Sequence, residues 1–187
     1  MNINNFFYLS SKLRLVNIQV GLVGNEADYI VPRENSDGFF CDMYPLHSGH
    51  YIRVVSDVLF IQYGGKKICD IMDCGTVGRY LISDKFRETI EENKLTGVRF
   101  YPVKVLDKKH NEIKGYHGLT ITGRSGIVDH RKCDIIVENG IKYYLGFYPG
   151  IEEWDGSDFF LPKNYLGIII DLKAAKAIKD ANLQIFT

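Results

Sequence analysis

The chain has 187 residues, and its 23 basic and 23 acidic side chains give a formal net charge of zero. Nucleic-acid-binding proteins normally carry a basic excess or a basic stripe, so this balance argues against that class. Hydrophobic residues make up 45% of the chain and aromatic residues 13%, which is typical of a folded, strand-rich protein and not of a disordered one. The length predicts a single domain, residues 1–187, with a sizeable core.

The N-terminal sequence MNINNFFYLSSKLRLV has no positive residue before its first aromatic side chains. It also lacks an apolar run of signal-peptide length. No stretch approaches the roughly 18 apolar residues of a membrane span. We therefore expect a cytoplasmic protein that does not bind membranes, with reduced thiols at its four cysteines. These are Cys41, Cys69, Cys74 and Cys133.

The first part of the chain, residues 1–74, reads as strand-rich. LRLVNIQVGLV, residues 13–23, predicts an early strand, although its apolar alternation changes phase near Val16. VLFIQYGGKKICDIM predicts a hairpin that turns at Gly64-Gly65, because two apolar runs flank a pair of glycines.

The next elements are a helix and a second hairpin. SDKFRETIEEN places Phe86 and Ile90 one turn apart with charged residues around the other face, and Ser83 is a natural N-cap. VRFYPVKVL and IKGYHGLTITG then predict two antiparallel strands joined by the polar loop DKKHNE.

The strongest local signal is CDIIVENGIKYYLGFY, where Asn139-Gly140 separates two β-branched and aromatic runs. This pattern predicts a two-residue hairpin turn with positive φ at both positions. Further on, DLKAAKAIKDAN predicts a second helix that is capped by Asp171. Its apolar stripe is predicted to be Leu172, Ala175 and Ile178.

The two helical segments resemble each other. YLISDKFRETIEENKLTGVRF and GIIIDLKAAKAIKDANLQIF each read as an apolar strand, a capped helix, a leucine (Leu95 and Leu183) and a short strand ending in Phe (Phe100 and Phe186). In this alignment Asn93 nearly matches Asn182. One such unit cannot bury both of its apolar faces. We therefore expect an α+β fold, mainly antiparallel β-sheet, with two similar strand–helix–strand units in the C-terminal half. Chance similarity of two capped helices is the alternative.

HSGH contains two histidines, His47 and His50, with the spacing of metal ligands. Only Cys41 and Asp42 lie at a nearby interval, and a glycine-containing segment is not a helix that would align the two rings. The segment is therefore predicted to be a polar loop without a metal. Cys69 and Cys74 do not form a C-x-x-C step, so we expect buried thiols there.

DHRKC, residues 129–133, gathers an acid, a histidine, two bases and a thiol. Neighbouring side chains of a strand point to opposite faces, so these residues are predicted to form a polar turn before the strand CDIIV. The chain has no G-x-S-x-G, P-loop or G-x-G-x-x-G motif. We therefore expect no catalytic residues and no cofactor, while an enzyme of unrecognised type is the alternative.

Four acids surround the only tryptophan in IEEWDGSDFF. In a structural interpretation, Trp154 and Phe159 fix a loop to the core, Asp155-Gly156 makes the turn and Asp158 bonds to backbone. In a functional interpretation, the segment is an acidic and aromatic rim for a basic partner, because tryptophan is enriched among interface hot spots. We expect Trp154 to fix the loop and the acids to face the partner. The candidate partner-binding residues are Glu152, Glu153, Trp154, Asp155 and Asp158.

Together, LISDKFRETIEENKLTGVRFYPV, WDGSDFF and GIIIDLKAAKAIKDANLQIF resemble immunity proteins of bacterial polymorphic-toxin systems. In that group a "gltGvef.pv" block precedes a "w.GsDif" turn and a closing strand–helix–strand block. The resemblance covers about residues 75–187. It implies a small cytoplasmic protein that binds and neutralises a cognate toxin domain without catalysis. Some relatives carry paired C-x-x-C-G motifs near the N-terminus; this chain has none, so no structural zinc is implied. A small-ligand-binding or structural module is a further alternative.

Overall fold

The computed structural model describes residues 5–9, 17–35, 38–74, 79–132, 134–138, 141–145 and 148–183. Its helices are α1 (Pro45–Ser48), α2 (Asp84–Glu92) and α3 (Leu172–Asp180). Its strands are β1 (Phe6–Leu9), β2 (Gln19–Leu22), β3 (Ile30–Pro32), β4 (Tyr51–Val54), β5 (Val58–Gly64), β6 (Ile71–Asp73), β7 (Tyr80–Ser83), β8 (Val98–Tyr101), β9 (Val103–Leu106), β10 (Tyr116–Ile121), β11 (Gly123–Ser125), β12 (Asp134–Glu138), β13 (Ile141–Leu145), β14 (Phe159–Pro162) and β15 (Ile168–Asp171). The fold is mixed α and β, and antiparallel pairing dominates. Within these ranges, no helix is long and apolar enough to cross a bilayer.

A central sheet with the order β6-β7-β10-β8 is buried on both faces. Because alternate residues of a strand point to opposite faces, its strands contribute to two separate cores. Tyr80 and Ile82 of β7 belong to the first core, while Leu81 between them belongs to the second. β10 is buried at five of its six positions, as expected of a strand that is covered on both faces.

Each core is closed by a different layer. The first core lies between the central sheet, the helices α2 and α3, and a second sheet with the order β1-β15-β14-β11. The other core lies between the central sheet, the sheet β2-β5-β9 and the pair β3-β4. Fully buried Phe86 and Phe159 fill the first core, and fully buried Phe60 fills the second. The segment WDGSDFF leads directly into β14, at the edge of the first core.

The structure reveals a repeated block that begins one strand earlier than the sequence predicts. β6 pairs with β7 through Ile71↔Ile82, and β14 pairs with β15 through Phe159↔Ile170. Each residue of the first pair lies 88 positions before its counterpart in the second, as Ile82 does before Ile170. A hairpin followed by a helix therefore occurs twice, at residues 70–95 and 158–183.

Both helices begin in the same way. Ser83 accepts a hydrogen bond from the Phe86 amide, and Asp171 accepts one from the Ala174 amide. These are the two predicted N-caps, and a side-chain cap of this kind typically stabilises a helix by about 1 kcal/mol.

The ends of the two helices also match. Lys94 and Asn182 both adopt φ of 50°, and the amides of the following leucines, Leu95 and Leu183, donate to the carbonyls five residues earlier. This is the Schellman arrangement that satisfies the last carbonyls of a helix. The structural counterpart of Asn182 is thus Lys94 and not Asn93.

The two helices bind each other reciprocally. The Lys85 ammonium at the start of α2 lies 3.2 Å from the Asn182 carbonyl oxygen at the end of α3. The Lys173 ammonium at the start of α3 lies 3.2 Å from the Lys94 carbonyl oxygen at the end of α2. The helices are therefore antiparallel neighbours in an approximately twofold arrangement. β7, α2 and β8 follow one another over the residues of the first predicted unit, whereas the predicted closing strand of the second unit falls on residues outside the described ranges.

Of the three predicted hairpins, one is confirmed, one forms in part and one is wrong. β12 and β13 pair antiparallel with Glu138 opposite Ile141, although Asn139 and Gly140 lie outside the described residues. The hairpin predicted from VRFYPVKVL and IKGYHGLTITG forms only in part: β8 pairs antiparallel with β10, but β9, which lies between them in the chain, pairs parallel with β5 in another sheet. The hairpin at Gly64-Gly65 does not form, because β5 lies between β2 and β9 while β6 pairs with β7.

The predicted apolar stripe of α3 is wrong at its first position. Leu172 is 52% exposed, whereas Ala174 and Ala177 are buried together with Ile178. The buried side of α3 is thus formed by two small residues and one large one.

The prediction that HSGH is a polar loop is also wrong. His47 and Ser48 belong to α1 and are buried, and His50 is only 8% exposed. α1 packs on the central sheet, where the Thr120 hydroxyl donates to the Leu46 carbonyl oxygen. His50 Nδ1 lies 3.9 Å from Asp42 Oδ1.

His47 occupies an environment that disfavours its charged form. Its Nε2 lies 2.9 Å from the Leu166 carbonyl oxygen, so Nε2 carries the proton and donates it. Nδ1 is buried without a hydrogen-bond partner among the described residues. Burial above all, with a smaller effect of the Arg124 charge, lowers the pKa of His47 from 6.5 to about 4.

We expect acid to weaken the fold through His47. The unfolded chain takes up this proton near pH 6.5 and the folded chain only near pH 4, so stability is full above the higher value and falls between the two. The loss should reach roughly 3 kcal/mol. Urea titrations at several pH values should show that His47→Gln removes most of this dependence, while His110→Asn, at an exposed histidine, preserves it. An unchanged pH dependence in His47→Gln would contradict the assignment.

Candidate partner-binding site

The segment IEEWDGSDFF crosses the outer edge of the sheet that contains β14. A 3₁₀ turn, Ile151–Glu153, begins after Gly150, which adopts φ of 63°. A Cβ atom on residue 150 would lie only 2.4 Å from the carbonyl carbon and 2.6 Å from the carbonyl oxygen of Gly126. Glycine is thus required at this close approach, and it places the turn against the residue that follows β11.

Trp154 lies in an aromatic cluster at the outer face of this sheet. Its ring is 5.2 Å from the ring of Phe6 in β1, nearly perpendicular to it, and 5.6 Å from the ring of Phe160 in β14. Its indole Nε1 donates to the Ser157 carbonyl oxygen at 3.0 Å. Edge-to-face aromatic contacts of this kind contribute beyond the area they bury. Trp154 therefore holds the loop against two strands, as the structural interpretation predicts.

Asp155 makes the predicted turn together with Gly156. One carboxylate oxygen accepts from the Ser157 amide at 3.0 Å, and the other accepts from the Arg124 amide of β11 at 2.8 Å. Gly156 adopts φ of 85°. Although Asp155 is exposed, both of its oxygens bind backbone, so its charge fixes the loop to the end of β11.

Asp158 is 5% exposed, and its carboxylate binds two other parts of the chain. Oδ2 accepts from the Thr96 amide at 2.6 Å and from the Thr96 hydroxyl at 2.7 Å. The Lys173 ammonium lies 3.1 Å from Oδ1. Burial by itself would raise the pKa of Asp158, but the Thr96 hydrogen bonds and the Lys173 charge outweigh it and hold that pKa below its ordinary value.

Glu152 and Glu153 remain at the surface, beside a cleft of about 530 Å³. Glu152 accepts hydrogen bonds from the Tyr148 hydroxyl at 2.5 Å and the Lys132 ammonium at 2.9 Å. These two donors lower the pKa of Glu152 to about 2. The same ammonium lies 4.2 Å from the centre of the Tyr148 ring, so the three side chains form one exposed cluster.

The other side of the cleft is the 3₁₀ turn His130–Lys132. The Arg131 guanidinium binds the Asp129 carboxylate at 3.0 Å and lowers the pKa of Asp129. The side chain of Arg131 is 91% exposed. The predicted polar turn before β12 is therefore present, and it supplies the basic edge opposite Glu152 and Glu153.

The structure thus separates the five candidate residues. Trp154, Asp155 and Asp158 contact other parts of the fold, whereas Glu152 and Glu153 lie at the cleft. The sequence reasoning missed Lys132 and Tyr148 as neighbours of Glu152. The charges of DHRKC were a usable signal for Lys132, but no pattern in the sequence connects Tyr148 with either segment. Among the residues that the structure describes, no group of three or more His, Cys, Asp or Glu could hold a metal ion.

Neither a family model nor a curated protein matches the chain.

Replacing Trp154 should weaken the fold. Trp154→Ala removes two ring contacts and a hydrogen bond from a half-buried site, so we expect a loss of about 2–3 kcal/mol in the free energy of unfolding. Urea denaturation measures the loss. Met43→Ala is a matched control, because Met43 is a large side chain that is 63% exposed. Equal stability of the two variants would show that Trp154 does not hold the loop.

Neutralising Asp158 should cost about 2 kcal/mol, because charged hydrogen bonds from Thr96 and Lys173 are lost. The pKa of Asp158 in the folded protein lies below its ordinary value of 3.8. The carboxylate therefore stabilises the fold fully above about pH 3.8, and this stabilisation is lost as the pH falls through the lower, folded-state pKa. Asp158→Asn should therefore destabilise the protein at neutral pH and by less in acid. Glu153→Gln makes the same chemical change at an exposed carboxylate and should leave stability unchanged in both conditions.

Proposed function

We propose that the protein is a non-catalytic immunity protein that binds and neutralises a cognate toxin domain of a polymorphic-toxin system in the bacterial cytoplasm. One observation carries the proposal: the three segments behind the resemblance meet at Asp158. Thr96 comes from LTGVRF, Asp158 from WDGSDFF and Lys173 from the closing helix. These segments are distant in sequence. Their direct contacts support the proposal that the three motifs form one structural framework, common to the immunity proteins that the chain resembles.

The same contacts indicate which residues are free to recognise a toxin. Motif residues that bind each other inside the fold cannot also distinguish one toxin from another. Recognition is assigned to the charged edge of the cleft, where Glu152 and Glu153 face Arg131 and Lys132. Charge complementarity at such an edge speeds association and selects the partner. The proposed family framework includes a second strand–helix–strand unit, which begins with β15 and α3.

The ion pairs at the cleft, Arg131 with Asp129 and Lys132 with Glu152, are also compatible with a binder. The pKa values of Asp129 and Glu152 are lowered, and those of Arg131 and Lys132 are raised. All four shifts favour charged forms, as in ion pairs, whereas a general acid or base needs a pKa near the working pH. A small-ligand-binding module is the second candidate, because a volume of about 530 Å³ falls within the range of ligand sites.

The proposal predicts that a toxin domain is encoded beside this gene, and the direct test uses that domain. Co-expression of the protein should restore growth of cells that produce that domain, and the two purified proteins should form a complex. A complex with no protection, or no complex at all, would contradict the proposal. Thermal-shift screening of the protein alone would then decide for or against the small-ligand alternative.

Reversing the charges of the cleft should weaken toxin capture. Glu152→Lys with Glu153→Lys should slow association with a basic toxin surface about tenfold or more and make it less dependent on salt. The fold should be retained, because exposed charges contribute little to stability. Stopped-flow mixing measures the rate. Glu88→Lys with Glu92→Lys changes the net charge equally on α2, and equal slowing by both pairs would show that this edge is not the binding site.

A further inference from the structure

Ile127 is an apolar side chain that the fold leaves at the surface. It lines the cleft beside Glu153 and is 57% exposed, whereas its two neighbours in the chain, Gly126 and Val128, are buried. Single apolar side chains are common on protein surfaces. Ile127 differs from those because its backbone is fixed and because a carboxylate without a partner lies next to it.

The backbone on both sides of Ile127 is held by hydrogen bonds. The Gly126 carbonyl oxygen accepts the Lys163 amide at 3.1 Å, and the Val128 amide donates to Asn164 Oδ1 at 2.8 Å. A β-branched side chain is also stiff about its first torsion. An isoleucine in this setting therefore loses little conformational freedom when a partner covers it, which favours binding.

The Glu153 side chain lies over the backbone next to Ile127. A Cβ atom on residue 126 would be only 3.2 Å from Cβ and from Cδ of Glu153. Glu152 of the same 3₁₀ turn is bound to Lys132, but the Glu153 carboxylate has no ion pair or hydrogen bond with any described residue. A cation supplied by a partner would therefore meet a free carboxylate beside an apolar side chain.

We propose that Ile127 is the anchor of the toxin interface and Glu153 its charged neighbour, so that the toxin presents an apolar side chain next to a lysine or an arginine. Interfaces commonly have an apolar centre, which loses its contact with water, inside a polar rim. The Arg131–Asp129 pair in the same cleft is already formed, as expected of the rim. This inference rests on the proposed function and adds the chemistry of the partner's contact.

The test compares Ile127→Ser with Ile52→Ser in the complex with the toxin domain. Ile52 is a matched control, because it is 64% exposed in β4 and does not line the cleft. Ile127→Ser should raise the dissociation rate about thirtyfold or more, as the loss of an interface anchor does, and Ile52→Ser should leave it unchanged. Surface plasmon resonance measures both rates. Urea denaturation of the free proteins should give equal stability for the two variants, since both side chains are exposed.

A second variant tests the charge. Glu153→Gln should slow association about threefold and reduce its dependence on salt. Equal dissociation of Ile127→Ser and Ile52→Ser, or unchanged association of Glu153→Gln, would overturn the inference while the complex itself still supports the proposed function. If the unmodified protein forms no complex with the toxin domain, the proposed function and this inference fail together.

Discussion

The buried carboxylate of Asp158 is the interaction on which the rest of the structure depends. A carboxylate that is 5% exposed is costly unless donors surround it. Its donors, Thr96 and Lys173, lie on the loop before β8 and on α3. Its backbone carbonyl accepts the Asp171 amide at 3.0 Å, as the Asp70 carbonyl accepts the Ser83 amide at 3.0 Å. The same acid thus begins both repeated blocks, and in the second block it also joins them.

This constraint explains why a tryptophan lies among acids. Asp155 and Asp158 use their oxygens to hold the loop to β11, Thr96 and Lys173, and Trp154 closes the loop over two aromatic rings. The acids of one short segment therefore have different physical roles. Only Glu152 and Glu153 keep carboxylates at the cleft, and of these Glu152 is already paired with Lys132. A partner that binds there must compete with that pair or add to it.

Local features of the fold were predictable from sequence, and pairings between distant segments were not. Ser83 and Asp171 cap their helices through atoms three residues away, so the signal lies within one short window. The failure at Gly64-Gly65 has the opposite cause, because β5 pairs with β2 and β9 and no local pattern identifies those strands. The HSGH segment was predicted to be a polar loop because α1 is only one turn long and leaves no helical pattern in the sequence. In the structure His47 is buried because α1 packs on the distant strand β10. The cleft was missed for the same reason, since it joins Tyr148 and Glu152 to the distant turn at Lys132.

The two repeated blocks also show where the sequence is free to change. The bridging lysine keeps its chemistry: Lys85 and Lys173 are counterparts, and each binds the end of the other helix. Exposed positions of the same helices have reversed their charge, from Glu88 to Lys176 and from Glu91 to Lys179. The framework therefore depends on a small set of buried and bridging groups and tolerates opposite charges on its surface. A fold of this kind can hold its shape while the charges on its surface change.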